Sequence, residues 1–182
     1  PNKNQNHECC GDHMLKIGFL ASHNGSSMRA IVDAIAADKL DAQAKIVISN
    51  NPAAPALTFA REHGIAARHI SLTALGPGQE TDTAIEFALV EADVDTVVLS
   101  GYMRKLGPRV LNRFAGRIVN IHPGLLPRFG GQGMYGLNVH KAVIASGERS
   151  TGITIHLVDD EYDHGPELAS RKVPVLKGDT QI

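Results

Sequence analysis

The sequence predicts an α/β protein built on a single doubly wound, mostly parallel sheet. Three observations carry that prediction. Compact apolar stretches suited to strands, Lys16–Ala21, Lys45–Ser49, Thr96–Leu99 and Arg117–Ile121, alternate with segments of helical periodicity. Thr96–Leu99 (TVVL) is continuously apolar, as expected of a strand covered on both faces. The length, 182 residues, suits one domain with a real core better than two.

Taken in order, Lys16–Ala21 runs directly into Ser22-His-Asn-Gly-Ser-Ser27 and then into the periodic run Met28–Ala37. Strand, Gly/Ser-rich turn and helix is a layout that points backbone N–H groups at an anion, with the helix dipole adding to the attraction. Gly25 permits the tight turn, and Ser26 or Ser27 is expected as N-cap. The same layout also serves as a plain βα turn. It is neither a GxGxxG nor a Walker pattern, so nucleotide binding by those routes is not supported.

Lys45–Ser49 ends at Asn50-Asn-Pro52. Pro55–His63 reads as a short helix with Gly64 as its stop, and Ala67–Ile70 as a short strand. Thr73–Gln79 is turn-rich. From Glu80 to Ala92 a helix is expected, because Ala84, Ile85, Ala88, Leu89 and Ala92 recur at helical spacing. Ser100–Pro108 then leaves the carboxyl end of Thr96–Leu99, the edge at which open α/β sheets bind ligands. Pro108–Phe114 reads as a short helix. Further on, Arg128–Gly136 is dense in glycine, which marks a sharply turning loop near a ligand. Asn138 is expected to cap a helix over Val139–Ser146, closed by Gly147. Thr151–Leu157 alternates strictly, placing Thr154 and His156 on one face, and Leu168–Val175 follows as a last strand.

The stretch that the rest is organised around is Arg117–Arg128 (RIVNIHPGLLPR). Its strand ends in Asn120-Ile-His122-Pro-Gly124, where Pro123 stops the ladder and Gly124 lets the chain turn. Side chains alternate along a strand, so Asn120 and His122 share a face. An amide that donates without titrating then stands beside an imidazole that exchanges a proton near neutrality. A strand terminus whose polar residues merely cap a loop has the same spacing.

Composition narrows the function classes. A formal net charge of −1 gives no general pull toward nucleic acid or anionic membrane, so any anion site must be local. No apolar run approaches the length of a membrane span, and no signal-peptide pattern is present, so a cytoplasmic location is expected. The two cysteines, Cys9 and Cys10, are adjacent and cannot join distant parts of the chain. With His7 and His13 they could hold a soft metal, but no second ligand pair with metal-site spacing follows. Residues 1–14 are therefore expected to be a disordered leader or an expression remnant, and no metal is expected.

The run Asn120–Pro127, together with Thr151-Gly-Ile-Thr-Ile-His156 and Asp163-His-Gly165, resembles the folate-dependent formyltransferases. Gly130–Gly136 followed by Val139-His140 is most similar to a bacterial purine-pathway subgroup of that family. The resemblance runs from about Lys16 to the end. It implies a Rossmann-like formyltransferase fold over residues 15–182, with antiparallel strands toward the C-terminus. It implies 10-formyltetrahydrofolate as co-substrate and the amine of glycinamide ribonucleotide as acceptor, in purine biosynthesis. By resemblance, Asn24, Gly25, Ser26 and Ser27 form the substrate-phosphate loop, although the family more often has Asn at the position of Ser27. Met103, Arg104, Lys105 and Leu106, with Asn120, Asp159 and Asp163, would hold the folate. Asn120, His122 and Asp163 would be catalytic: Asn120 stabilising the oxyanion of a tetrahedral intermediate, His122 donating or moving the proton, and Asp163 orienting His122. Neither cysteine lies in the matched region and no nucleophile-elbow pattern appears, so no covalent intermediate is implied.

Partners are then small molecules, with no nucleic acid and no membrane, and the chain is expected to be a monomer or weak homodimer. Alternatives are a formyltetrahydrofolate hydrolase, with water as acceptor, and a folate-binding module with little turnover. The hydrolases usually carry an additional N-terminal domain, and methionyl-tRNA formyltransferases a basic C-terminal one. Family members also continue beyond the position of Ile182 with a helix and strands, so reduced substrate affinity is expected here. Glu167 and Ser170 depart from the residues the family usually has.

Overall fold

The computed structural model describes residues 14–75 and 78–180. The Cys9-Cys10 leader with His7 and His13 lies outside the described residues. Among the described residues, seven strands form one sheet in the order β3-β2-β1-β4-β5-β6-β7. Strands β1 (Leu15–Leu20), β2 (Ala42–Ser49), β3 (Ala66–His69), β4 (Thr96–Leu99) and β5 (Ile118–His122) are parallel. Strands β6 (Ser150–Leu157) and β7 (Glu167–Pro174) join antiparallel at one edge. The expected architecture is the one observed.

Side-chain alternation divides the core between two faces. Phe19, Val47 and Val98 pack with Met28 and Val32 of α1 (Ser26–Ala36) and Leu57 and Ala60 of α2 (Pro55–Glu62). Their strand neighbours Leu20, Ile46, Ile48, Val97 and Leu99 pack on the other face. There they meet Ile85 and Leu89 of α4 (Gly78–Glu91) and Val110 of α5 (Pro108–Arg113). A third small cluster joins Phe129 to Val139 and Val143 of α6 (Leu137–Ala145). Among the described residues, no helix is long and apolar enough to cross a membrane.

The sheet places the site through its winding. Chain order runs outward from β1 to β3 on one side and from β4 to β5 on the other, so the loops after β1 and β4 part and leave a crevice at their carboxyl ends.

Several local expectations need correction. Neither Ser26 nor Ser27 caps α1. The N-cap is Gly25, in left-handed conformation at φ 63°, and no side chain of the turn bonds the first turn of the helix. The Met28 N–H instead reaches the Ser100 hydroxyl at 3.0 Å, so the loop after β4 supplies the cap. Asn138 does not cap α6 either: Gly136 is its N-cap, and the Asn138 amide donates to the Gly133 carbonyl at 3.1 Å, bracing the glycine loop. Part of the turn-rich stretch is a short helix, α3 (Leu72–Leu75). β2 begins at Ala42, three residues before the expected start, because its first half, in which only Ala42 is buried, lacks the apolar run that marks the rest. β5 extends to His122, so the imidazole belongs to the strand rather than to the loop after it.

Candidate active site

A cavity of about 640 Å³ opens at the carboxyl ends of β1, β4 and β5. Ser26 and Ser27 line it, as do Met103, Arg104, Lys105 and Leu106, together with Asn120, His122, Asp159 and Asp163. Asn24 and Gly25 do not line it. Gly25 shapes the turn, and the Asn24 carbonyl accepts from Arg29 Nε at 3.0 Å. His140 is partly buried and does not line the cavity. Arg68 pairs with Glu91 at 3.5 Å and Arg128 pairs with Glu148.

Three side chains converge on one oxygen, Asp163 Oδ1. Asn120 Nδ2, His122 Nδ1 and His156 Nε2 each lie 3.4 Å from it. The register explains the convergence: Asn120 pairs with His156 across β5 and β6, and His122 pairs with Thr154, so the four share one face of the sheet. The other carboxylate oxygen, Oδ2, accepts the Gly131 N–H at 3.0 Å. Asp163 itself is held at φ 54°, a conformation non-glycine residues seldom adopt, which costs of order 1 kcal/mol and commonly marks functional sites. The turn that aims it is closed at Gly165, where any Cβ would overlap the Leu157 carbonyl oxygen.

Hydrogen-bond partners assign the tautomers. A carbonyl only accepts, so His122 Nε2 donates to the Phe129 carbonyl at 2.6 Å, and Nδ1 is the nitrogen left facing Asp163. His156 Nδ1 donates to the Leu157 carbonyl at 2.8 Å, leaving Nε2 to accept from Asn120 Nδ2 at 3.1 Å. Burial opposes ionisation of Asp163, yet the two imidazoles and the Gly131 amide outweigh it and hold the carboxyl well below the usual carboxylate range. Burial also opposes charging of His156, but the Asp163 carboxylate and the Leu157 carbonyl prevail and its pKa is raised. The expected contact between Asp163 and His122 is direct.

His156 was not among the site residues expected from sequence, and neither was Thr154. Thr154 is fully buried; its hydroxyl donates to the Gly124 carbonyl at 2.8 Å and accepts the Leu126 N–H at 3.1 Å, fixing the loop that follows His122. The signal was present as two polar residues at alternate positions of a strand, a pattern that usually marks a solvated face. Here that face is buried.

The cluster has an amide donor, two imidazoles and an ionised carboxylate, groups whose chemistry suits proton transfer and the stabilisation of developing negative charge. Comparison with known proteins agrees: the formyl transferase family matches residues 15–182, and the chain belongs to that family. It is 36% identical over 167 residues to the phosphoribosylglycinamide formyltransferase of Escherichia coli strain K12, covering 92% of this chain and 76% of that protein. It is 39% identical over 170 residues to the chloroplastic phosphoribosylglycinamide formyltransferase of Vigna unguiculata, covering 91% of this chain but only 53% of that protein's length. In structure it is similar to glycinamide ribonucleotide transformylase 1 from Symbiobacterium toebii, with a TM-score of 0.87 at 35% identity over 93% of this chain and 78% of that one.

Proposed function

We propose that this chain transfers the formyl group of 10-formyltetrahydrofolate to the primary amine of glycinamide ribonucleotide, a step of purine biosynthesis in the cytoplasm. The observation that carries the reading is the convergence of Asn120, His122 and His156 on Asp163 in the cavity that the phosphate turn and the folate segment both line. The names of the relatives and of the solved structure support formyl transfer to the same acceptor.

In this reading the amine nitrogen attacks the formyl carbon, a C–N bond forms and the carbonyl oxygen becomes an oxyanion. Asn120 donates to that oxyanion. Its Nδ2 spends its shorter bond, 3.1 Å, on His156 and only a 3.4 Å contact on Asp163, so the second N–H is the one available to turn toward the new charge. His122, with Nε2–H committed to Phe129, exchanges a proton through Nδ1. It takes the proton lost by the attacking amine and returns it to the leaving folate nitrogen as the old C–N bond breaks. Asp163, ionised throughout, orients both imidazoles and stabilises the charged one. Met103–Leu106 and Asp159 hold the folate, and Ser26 and Ser27 present first-turn N–H groups to the substrate phosphate. Holding amine and formyl group in contact supplies much of the remaining acceleration.

The test is a formyl-transfer assay with 10-formyltetrahydrofolate, run with and without glycinamide ribonucleotide beside Asn120→Ala. Amine-dependent loss of the formyl group that disappears in the variant is the expected result. Loss without the amine would make the chain a hydrolase, and folate binding without loss would make it a binding module.

A further inference from the structure

Two buried serines stand where the turn after β1 meets the loop after β4, and each holds the other's loop. Ser22 and Ser100 are both 2% exposed. Their backbones are fixed by main-chain bonds: Ser22 N–H donates to the Gly101 carbonyl at 3.2 Å, and Ser100 N–H to the Leu20 carbonyl at 2.8 Å. Their hydroxyls cross over. Ser100 Oγ, from the β4 side, accepts the Met28 N–H at 3.0 Å and shares a 2.6 Å bond with the Ser27 hydroxyl. Ser22 Oγ, from the β1 side, accepts the Met103 N–H at 2.8 Å and donates to Asn50 Oδ1 at 2.6 Å.

We infer that Ser100 and Ser22 are positioning residues with crossed assignments: Ser100 sets the turn that takes the substrate phosphate, and Ser22 sets the Met103 segment that takes the folate. The inference rests on the reading of those two loops given above. Gly25 caps α1 without a side chain, so the first turn of the helix depends on Ser100 for the Met28 N–H. The N–H groups of Ser26 and Ser27, which helix geometry leaves without intrahelical partners, remain for an anion. Ser27, where the family more often has Asn, is held by the same hydroxyl. Removing a hydroxyl leaves its own loop fixed by the main chain and loosens the opposite one.

The test measures KM for each substrate, kcat and Tm in Ser100→Ala, Ser22→Ala and the double variant Ser27→Ala/Ser100→Ala. Ser100→Ala is expected to raise KM for glycinamide ribonucleotide roughly five-fold, the typical cost of a lost helix cap, while KM for the folate changes less than about two-fold. Ser22→Ala is expected to do the reverse. The double variant is expected to be no worse than Ser100→Ala, since Ser27 acts through that hydroxyl. A purely structural role would lower Tm and leave both KM values unchanged or raise them together, and either pattern overturns the inference. Ser→Cys variants, somewhat larger and with a weaker hydrogen bond, carry the same test if an alanine variant does not fold. Ser26→Asp and Arg104→Ala serve as controls, expected to raise KM for the phosphorylated amine and for the folate respectively. If the controls respond and the crossed pattern is missing, this inference alone fails; if they do not respond, the loop assignments fail and take it with them.

Discussion

In the parallel half of the sheet, apolar side chains of both faces lie under helices: Phe19, Leu20, Val47 and Val97 are inaccessible to solvent. In the antiparallel half the usual pattern weakens and then inverts. Every residue of β7 is exposed, and β6 buries Gly152, Thr154 and His156 while leaving Ile153 on the exposed side. A strand that turns its polar residues inward is poor core and good site, because the inward face is the wall on which Asn120 and His122 meet their partners. The parallel half thus contributes loops and strand ends held by a deep core, and the antiparallel half contributes side chains directly from a strand face and the turn after it.

The largest effects should separate the two halves by kind. Asp163→Asn keeps the shape but removes the charge on which one amide and two imidazoles converge, so kcat should fall about a thousand-fold, roughly 4 kcal/mol of barrier, with thermal stability altered far less. Single-turnover formyl transfer and a melting curve on the same sample check it. Phe19→Ala, at the centre of the parallel half, should cost about 3 to 5 kcal/mol of folding free energy, read from the midpoint of a urea titration. If the activity loss of Asp163→Asn is matched by a comparable loss of stability, the division of labour fails.

Legibility in the sequence follows the same division. Buried parallel strands announce themselves as continuous apolar runs, and Thr96–Leu99 is observed with the bounds read from sequence. Asn120 and His122 were readable as a pair because period-two alternation fixes their common face. His156 and Thr154 were not readable as site residues, since nothing in a lone alternating strand tells which face is buried. The caps of α1 and α6 were misplaced for a related reason. Local rules assign a cap to the nearest Ser or Asn, whereas α1 takes its cap from Ser100, 72 residues away from Met28 in the chain. Glu167 and Ser170 make sense only once β7 is seen as an exposed edge strand, where polar side chains cost nothing.

Titration sharpens the comparison at the junction between the halves. The pKa of His156 is raised, so its charged form adds stability that is fully present below the ordinary histidine value of about 6.5 and is lost as pH rises through the folded value. Asp163 is depressed, so its contribution holds above about 3.9 and is lost only as pH falls through a far lower folded value. The acidic limb of a pH–rate profile above pH 5 should therefore belong to an imidazole and not to Asp163. Imidazole resonances followed by NMR should give His156 a midpoint above the ordinary value. In Asp163→Asn that midpoint should fall below it, since burial then acts without its main opponent. A midpoint unmoved by Asp163→Asn would remove the carboxylate from the account of His156.

The smallest effect is expected at the edge. Leu168 is apolar but 54% exposed on β7, so Leu168→Ser takes little area from water that was not already there, and the change in folding free energy should stay within about 0.5 kcal/mol. The same denaturant titration used for Phe19→Ala measures it, on a strand whose pairing with β6 shifts register at Ile155/His156 and skips Leu168 itself. A cost near 2 kcal/mol would mean that Leu168 is covered in solution. The contrast between a deeply packed parallel half and an open antiparallel edge would then describe this chain alone and not the protein as it folds among its neighbours.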